Sequence, residues 1–158
     1  MNMPRVLVVY YSRSGNTEAM AEIIAGSLRN EGVDTECKKV QDAGIDELLD
    51  VDGVVIGSPT YYGTMAAEIK KFLDESIKHH GKLDGKVGAA FSSAHVTGHE
   101  TTVISMLEAL LIHGMIIQGD PQGYHYGATS ILKPDEKEAN ACRRFGKRIA
   151  ALVKKVVE

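Results

Sequence analysis

The sequence predicts an α/β domain: a doubly wound, five-stranded parallel sheet with helices on both faces, in three layers. Two observations carry this prediction. Apolar runs of strand length alternate five times with stretches of helical spacing. The run Gly53-Val54-Val55-Ile56-Gly57 is apolar on both of its faces, as a strand buried within a parallel sheet must be. At 158 residues and 44% hydrophobic, the chain is expected to form one domain, 1–158, with a sizeable core.

The elements follow in order. Val6 to Tyr11 is the first strand, and Met20, Ile23, Ile24 and Leu28 give the first helix its apolar stripe before Gly32 ends it. Val33 to Val40 alternates loosely, as an edge strand does, and a helical turn around Asp46 to Leu49 leads to the third strand. Met65, Ile69, Phe72, Leu73 and Ile77 recur at helical spacing up to Gly81, with His79 and His80 in the last turn. Neighbouring helical residues diverge by about 100°, which makes that pair poor metal ligands. Lys86 to Ser93 is the fourth strand. Thr97 and Glu100 have capping-box spacing ahead of a helix carrying Val103, Met106, Leu107, Leu110 and Leu111. Met115 to Gly119 reads as the fifth strand and Asp120 to Thr129 as an irregular loop. The last helix is expected to start with Pro134 at its first position and to bury Cys142, Phe145, Ile149, Leu152, Val153 and Val156.

Charge and targeting signals narrow the function. A net charge of -3 offers no basic footprint for nucleic acid or an anionic membrane. The first apolar run is too short for a signal-peptide core and nothing reaches membrane-span length, so a cytoplasmic protein is expected. Cys37 and Cys142 lack metal or redox spacing and read as buried, reduced thiols.

The stretch most informative about function is Ser12-Arg13-Ser14-Gly15-Asn16-Thr17, between the first strand and the first helix. A strand turning through hydroxyls and a glycine into a helix start gathers free backbone N–H groups and the positive end of the helix, which suits a phosphate. No Lys follows the glycine and no Cys lies in the loop, so triphosphate hydrolysis and thiolate phosphatase chemistry are both disfavoured; the loop holds a phosphate without cleaving it. Helix capping alone is the simpler reading of the same residues. Ligands of such sheets bind beyond the carboxyl ends of the strands where strand order reverses, which gathers the loops after strands one, three and four.

Those loops carry a family resemblance. Ser58-Pro59-Thr60-Tyr61-Tyr62-Gly63-Thr64-Met65, Phe91-Ser92-Ser93, His113-Gly114-Met115 and Tyr126-Gly127-Ala128-Thr129, in that order, resemble the flavodoxin-like FMN proteins, and most closely the WrbA-type NAD(P)H:quinone oxidoreductases. The resemblance implies strand order 2-1-3-4-5, with FMN phosphate at Ser12 to Thr17. It places the flavin ring between Pro59, Thr60, Tyr61, Tyr62 and Gly63 on one side and Ser93, Ala94, His95, Val96, Thr97 and Gly98 on the other. His113 matches a histidine lining that family's active site; as a residue alone it reads equally as a helix-end group. The chain departs from the pattern in being short after Ile117, in having no Trp, and in placing His95 and His99 where glycines are usual. The family's tetramer is correspondingly in question, and a dimer or tetramer is expected only from the resemblance.

The residues themselves add one chemical argument. Neither Ser58 to Thr64 nor Ser92 to His99 contains a carboxylate. An anionic reduced flavin is therefore not repelled, which favours two-electron traffic: hydride from NAD(P)H to FMN, then to a quinone, with Tyr62, His95 and His113 as candidate catalytic residues. An electron-carrying flavodoxin is the alternative, with a small-molecule quinone or a protein as redox partner. A receiver-type signalling domain would need an Asp where Ile56-Gly57-Ser58 stands, and His99-Glu100 lacks the second His of a zinc-protease helix.

Overall fold

The computed structural model describes residues 3–158. Its strands are β1 (Arg5–Tyr10), β2 (Asp34–Lys39), β3 (Gly53–Tyr61), β4 (Thr64–Met65), β5 (Val87–Ala94) and β6 (Thr129–Ile131). The helices are α1 (Asn16–Asn30), α2 (Ala67–Glu75), α3 (His99–Ile112) and α4 (Glu136–Val157). The sheet runs β2-β1-β3-β5-β6, and its pairings are parallel except for β4, which hairpins onto β3. With the hairpin set aside, this is the expected order.

Successive side chains of β1 feed opposite layers, which explains why the run is apolar throughout. Val6, Val8 and Tyr10 pack with Met20, Ile24 and Leu28 of α1 and with Cys142, Ile149 and Val153 of α4. Leu7 and Val9 pack with Ile69 and Phe72 of α2 and with Val103, Met106 and Leu110 of α3. Each fully buried aliphatic side chain contributes about 2 kcal/mol, so these two clusters supply the main driving force for the three-layer arrangement. Two close approaches sharpen it. A Cβ on Gly57 would fall 2.1 Å from Cζ of the buried Phe91, and one on Gly146 would fall 2.7 Å from Cβ of Ser27, so glycine lets Phe91 lie across β3 and α4 sit tightly on α1.

Several local expectations change. The fifth strand is split: Ile116 bridges Val87, the chain then leaves the sheet, and Thr129–Ile131 resumes pairing with β5. The physical cause is Asp120, held by two hydrogen bonds from Arg144 at 2.8 and 2.9 Å, while Arg148 donates to Gly119 O. These contacts draw the loop onto α4. The Thr97–Glu100 capping box does not form. Gly98 is the N-cap in a left-handed conformation, and its carbonyl accepts from the Thr102 amide and the Thr102 hydroxyl. Pro134 precedes the last helix instead of starting it; Asp135 caps, exchanging hydrogen bonds with Glu138. Ile77, Leu111 and Val156, expected in the core, are exposed. Cys142 is buried, Cys37 is half-buried, and burial pushes the two thiols up to about 12 and about 11, respectively.

Candidate functional site

The loops after β1, β3 and β5 meet at the carboxyl end of the sheet. Together they form a cleft of about 360 Å³ lined by Arg13, Ser14, Asn16, Pro59, Thr60, Tyr61, Ser93, Ala94 and His95. The parallel register produces this convergence directly, since Pro59 pairs with Ser93 at the end of two neighbouring strands.

The first wall is the start of α1. Gly15 takes φ +94°, a left-handed turn that swings the chain from strand into helix. Ser12 Oγ accepts from the N–H groups of Gly15 and Glu18 at 3.1 and 3.2 Å, so this serine does cap the helix. Capping does not exhaust the donors. Among the described residues, the N–H groups of Arg13, Ser14, Asn16 and Thr17 have no hydrogen-bonded protein partner. Four free donors, the positive end of a 15-residue helix and the exposed Arg13 make an anion site suited to a terminal phosphate. Thr17 is buried, and its hydroxyl lies 2.8 Å from Ser93 Oγ, leaving its amide as its free donor.

The second wall is the hairpin between β3 and β4. Tyr62 (φ 51°) and Gly63 (φ 80°) form a two-residue turn with both residues left-handed, the arrangement that matches strand twist in tight hairpins. Glycine takes this conformation freely; for Tyr62 it is strained. The turn is held from below: Thr101 Oγ1 donates to Gly63 O at 2.8 Å and Thr64 Oγ1 donates to Ser105 Oγ at 3.2 Å. Tyr61 lines the cleft, its phenol raised above the ordinary value chiefly by burial, whereas the Tyr62 ring stands fully in solvent at the tip.

The third wall is Ser93 to Gly98. His95 lines the cleft, Val96 and Thr97 are exposed, and Gly98 packs against the hairpin so closely that a Cβ there would meet Thr60 Cγ2 at 3.0 Å and Gly63 Cα at 3.3 Å. None of the residues lining the cleft is a carboxylate, and Arg13 is its one formal charge.

The structure does not bring His113 to this cleft. It follows the last residue of α3, beside the amino end of β5 and so at the opposite end of the strands, a helix length or roughly 20 Å from Gly98. There it is buried, with Nε2 2.8 Å from Ser76 Oγ. Ser76 gives its own proton to Leu73 O, so the imidazole must donate through Nε2, and Nδ1 is left an unpaired acceptor. Burial, with the neighbouring His80 ring 6.0 Å away, pushes the His113 imidazole below its ordinary value. His79 points elsewhere, to Asp46 at 2.7 Å. Sequence reasoning missed Thr101 and Ser105 as supports of the hairpin; the Thr101-Thr102 pair in the first turn of α3, three residues after Gly98, was the available signal.

An anion-binding helix start facing two hydroxyl-bearing loops, one of them carrying Tyr61, defines a ligand cleft at the switch point of a doubly wound domain. The comparisons agree with that class. The flavodoxin domain model matches residues 7–114, and the chain belongs to that family. A flavodoxin of Aquifex aeolicus is 38% identical over 96% of this chain and 88% of its own length. An NAD(P)H dehydrogenase (quinone) of Archaeoglobus fulgidus is 33% identical over 98% of this chain and 100% of its own. That alignment spans 190 positions, more than the 158 residues here, so this relative carries segments the chain lacks. The solved structure of a flavodoxin from the domain Archaea superposes with a TM-score of 0.81 at 36% identity, covering 95% of this chain and 99% of that one. The fold is thus that of a family whose members bind flavin, and the free donors at the start of α1 fit FMN's terminal phosphate. Among the described residues, no helix is long and apolar enough to cross a membrane.

Proposed function

We propose that the chain is an FMN-dependent oxidoreductase that passes two electrons from NAD(P)H to a quinone. The observation that carries the reading is the cleft lined by no carboxylate. Bound FMN supplies the capacity to take a hydride from NAD(P)H and to deliver both electrons onward. Arg13 and the free amides of Ser14, Asn16 and Thr17 hold its phosphate, with the Ser12 hydroxyl proton also free to donate. Pro59, Thr60 and Tyr61 on one side, and Ser93, Ala94 and His95 on the other, exclude water from the ring. Gly63 and Gly98 keep these two loops together, while Val96 and Thr97 lie at the rim. With no carboxylate among the lining residues, the cleft would set no like-charged wall against a bound flavin, which suits two-electron use of it. Tyr62, free at the hairpin tip, offers a ring face to an incoming quinone. His95 lines the cleft with its ring exposed, and an imidazole there could donate a hydrogen bond or a proton to quinone oxygen. His113 has no part in this path.

A second reading, an electron carrier that relies on a separate reductase, is favoured by the 38% identical relative named flavodoxin and by the segments missing relative to the longer NAD(P)H dehydrogenase. The test is anaerobic consumption of NADH and NADPH by the FMN-loaded protein, with and without benzoquinone. Rapid quinone-dependent consumption of either nucleotide supports the oxidoreductase; nucleotide left intact, together with electron acceptance from an added flavodoxin reductase, supports the carrier.

A further inference from the structure

Two consecutive hydroxyls at the end of β5 are buried, and neither hydroxyl is given a role in the reading above, where Ser93 serves only as cleft lining. Ser92 is 0% exposed and Ser93 3% exposed. As neighbours on a strand they point to opposite faces of the sheet. Ser93 Oγ meets Thr17 Oγ1 of α1 at 2.8 Å, while Ser92 Oγ meets Thr60 Oγ1 of the hairpin wall at 3.0 Å. Ser92 also donates to Ser93 O at 3.3 Å, which leaves Thr60 as the donor of its pair. One strand end therefore grips both walls of the cleft, and each grip is a single hydrogen bond with little or no competition from solvent.

Resting on the functional reading above, we infer that Ser92 and Ser93 are positioning residues with separable duties: Ser93 sets the grip on the phosphate end of FMN and Ser92 sets the grip on its ring. The Thr17 hydroxyl is fixed by Ser93, and the Thr17 amide is one of the four free donors of the anion site. Removing the Ser93 hydroxyl frees the first turn of α1 to rotate its donors off target and leaves a buried oxygen on Thr17 without its partner. Removing the Ser92 hydroxyl does the same to Thr60, which lines the ring side of the cleft. A purely structural role would lower stability in both variants without telling the two halves of the ligand apart.

The test compares binding of FMN and of riboflavin, which lacks the phosphate, by flavin fluorescence quenching in phosphate-free buffer. Ser93→Ala is expected to weaken FMN binding roughly tenfold while riboflavin affinity is kept, narrowing the FMN-to-riboflavin preference by that factor. Ser92→Ala is expected to weaken both ligands alike, leaving the preference as in the unaltered protein. A Ser93→Ala protein that keeps the full preference overturns the inference, as does a Ser92→Ala protein that loses FMN selectively. Should Ser93→Ala fail to fold, Thr17→Val removes the same hydrogen bond from its other end and must narrow the preference; Thr17→Ser, which keeps the oxygen, must not. Failure of the unaltered protein to bind FMN would instead overturn the functional reading itself.

Discussion

Gly98→Ala probes the contact that closes the cleft. Gly98 adopts φ +87°, where an L side chain costs about 1 to 2 kcal/mol. An added Cβ would also lie 3.0 Å from Thr60 Cγ2 and 3.3 Å from Gly63 Cα. The Thr60 methyl can swing aside only by breaking its hydroxyl's bond to Ser92, and the Gly63 backbone is held by Thr101, so the hairpin must shift by a few tenths of an ångström. This crowding adds about 1 kcal/mol, for a total of about 2 to 3 kcal/mol. Gly81→Ala is the control: φ is +85°, yet nothing lies within 4 Å of its Cβ, so it carries the conformational cost alone. In thermal unfolding of the flavin-free protein followed by circular dichroism, Gly81→Ala should lower Tm by about 3 °C and Gly98→Ala by about twice that. Only Gly98→Ala should also weaken riboflavin binding. Equal Tm losses, or unchanged riboflavin binding in Gly98→Ala, would refute the argument that Gly98 sets the spacing of the two loops.

Three other predictions concern charge. Arg13→Ala should weaken FMN binding about tenfold, leave riboflavin binding unchanged and flatten the salt dependence of FMN affinity, all measurable by fluorescence titration in graded salt. Hydrogen bonds from Arg144 are the main reason the Asp120 carboxyl sits at about 2, below its unfolded value. Its contribution is therefore complete above about pH 4 and lost as pH falls through about 2; urea denaturation should show Asp120→Asn losing about 1 kcal/mol at neutral pH and a small fraction of that at about pH 2. His113 is likewise depressed, by burial first, so the fold prefers it neutral: stability is complete above its ordinary value of 6.5 and declines as pH falls below it. His113→Gln should flatten that decline in a pH series of denaturation midpoints.

The strand runs and helical stripes were legible because both core faces of β1 and β3 must be apolar in a three-layer sheet, and the α4 stripe of Cys142, Ile149 and Val153 follows helical periodicity faithfully. What escaped the sequence depends on contacts between distant residues. Met115-Ile116-Ile117 has strand composition, but Asp120 is claimed by Arg144, 24 residues away, and the strand splits. Thr97 and Glu100 have capping spacing, but Gly98 has the conformational freedom to stop the chain one residue before α3 and pack on the hairpin. In the cleft, the loop segments were legible from their hydroxyls and turn residues. The direction of each side chain was not: Thr17 turns inward to Ser93, Tyr62 stands in solvent, and His113 lies by the amino end of β5 because α3 carries the chain back from the cleft to the start of that strand.

The central claim is that the start of α1 anchors FMN by its phosphate. Titrating the purified, folded apoprotein with FMN and with riboflavin, and following the visible absorbance and fluorescence of the flavin, tests it most directly. One FMN should bind per chain, at least tenfold tighter than riboflavin. A protein with an intact circular dichroism spectrum that leaves FMN free, or that binds both flavins equally, would contradict it.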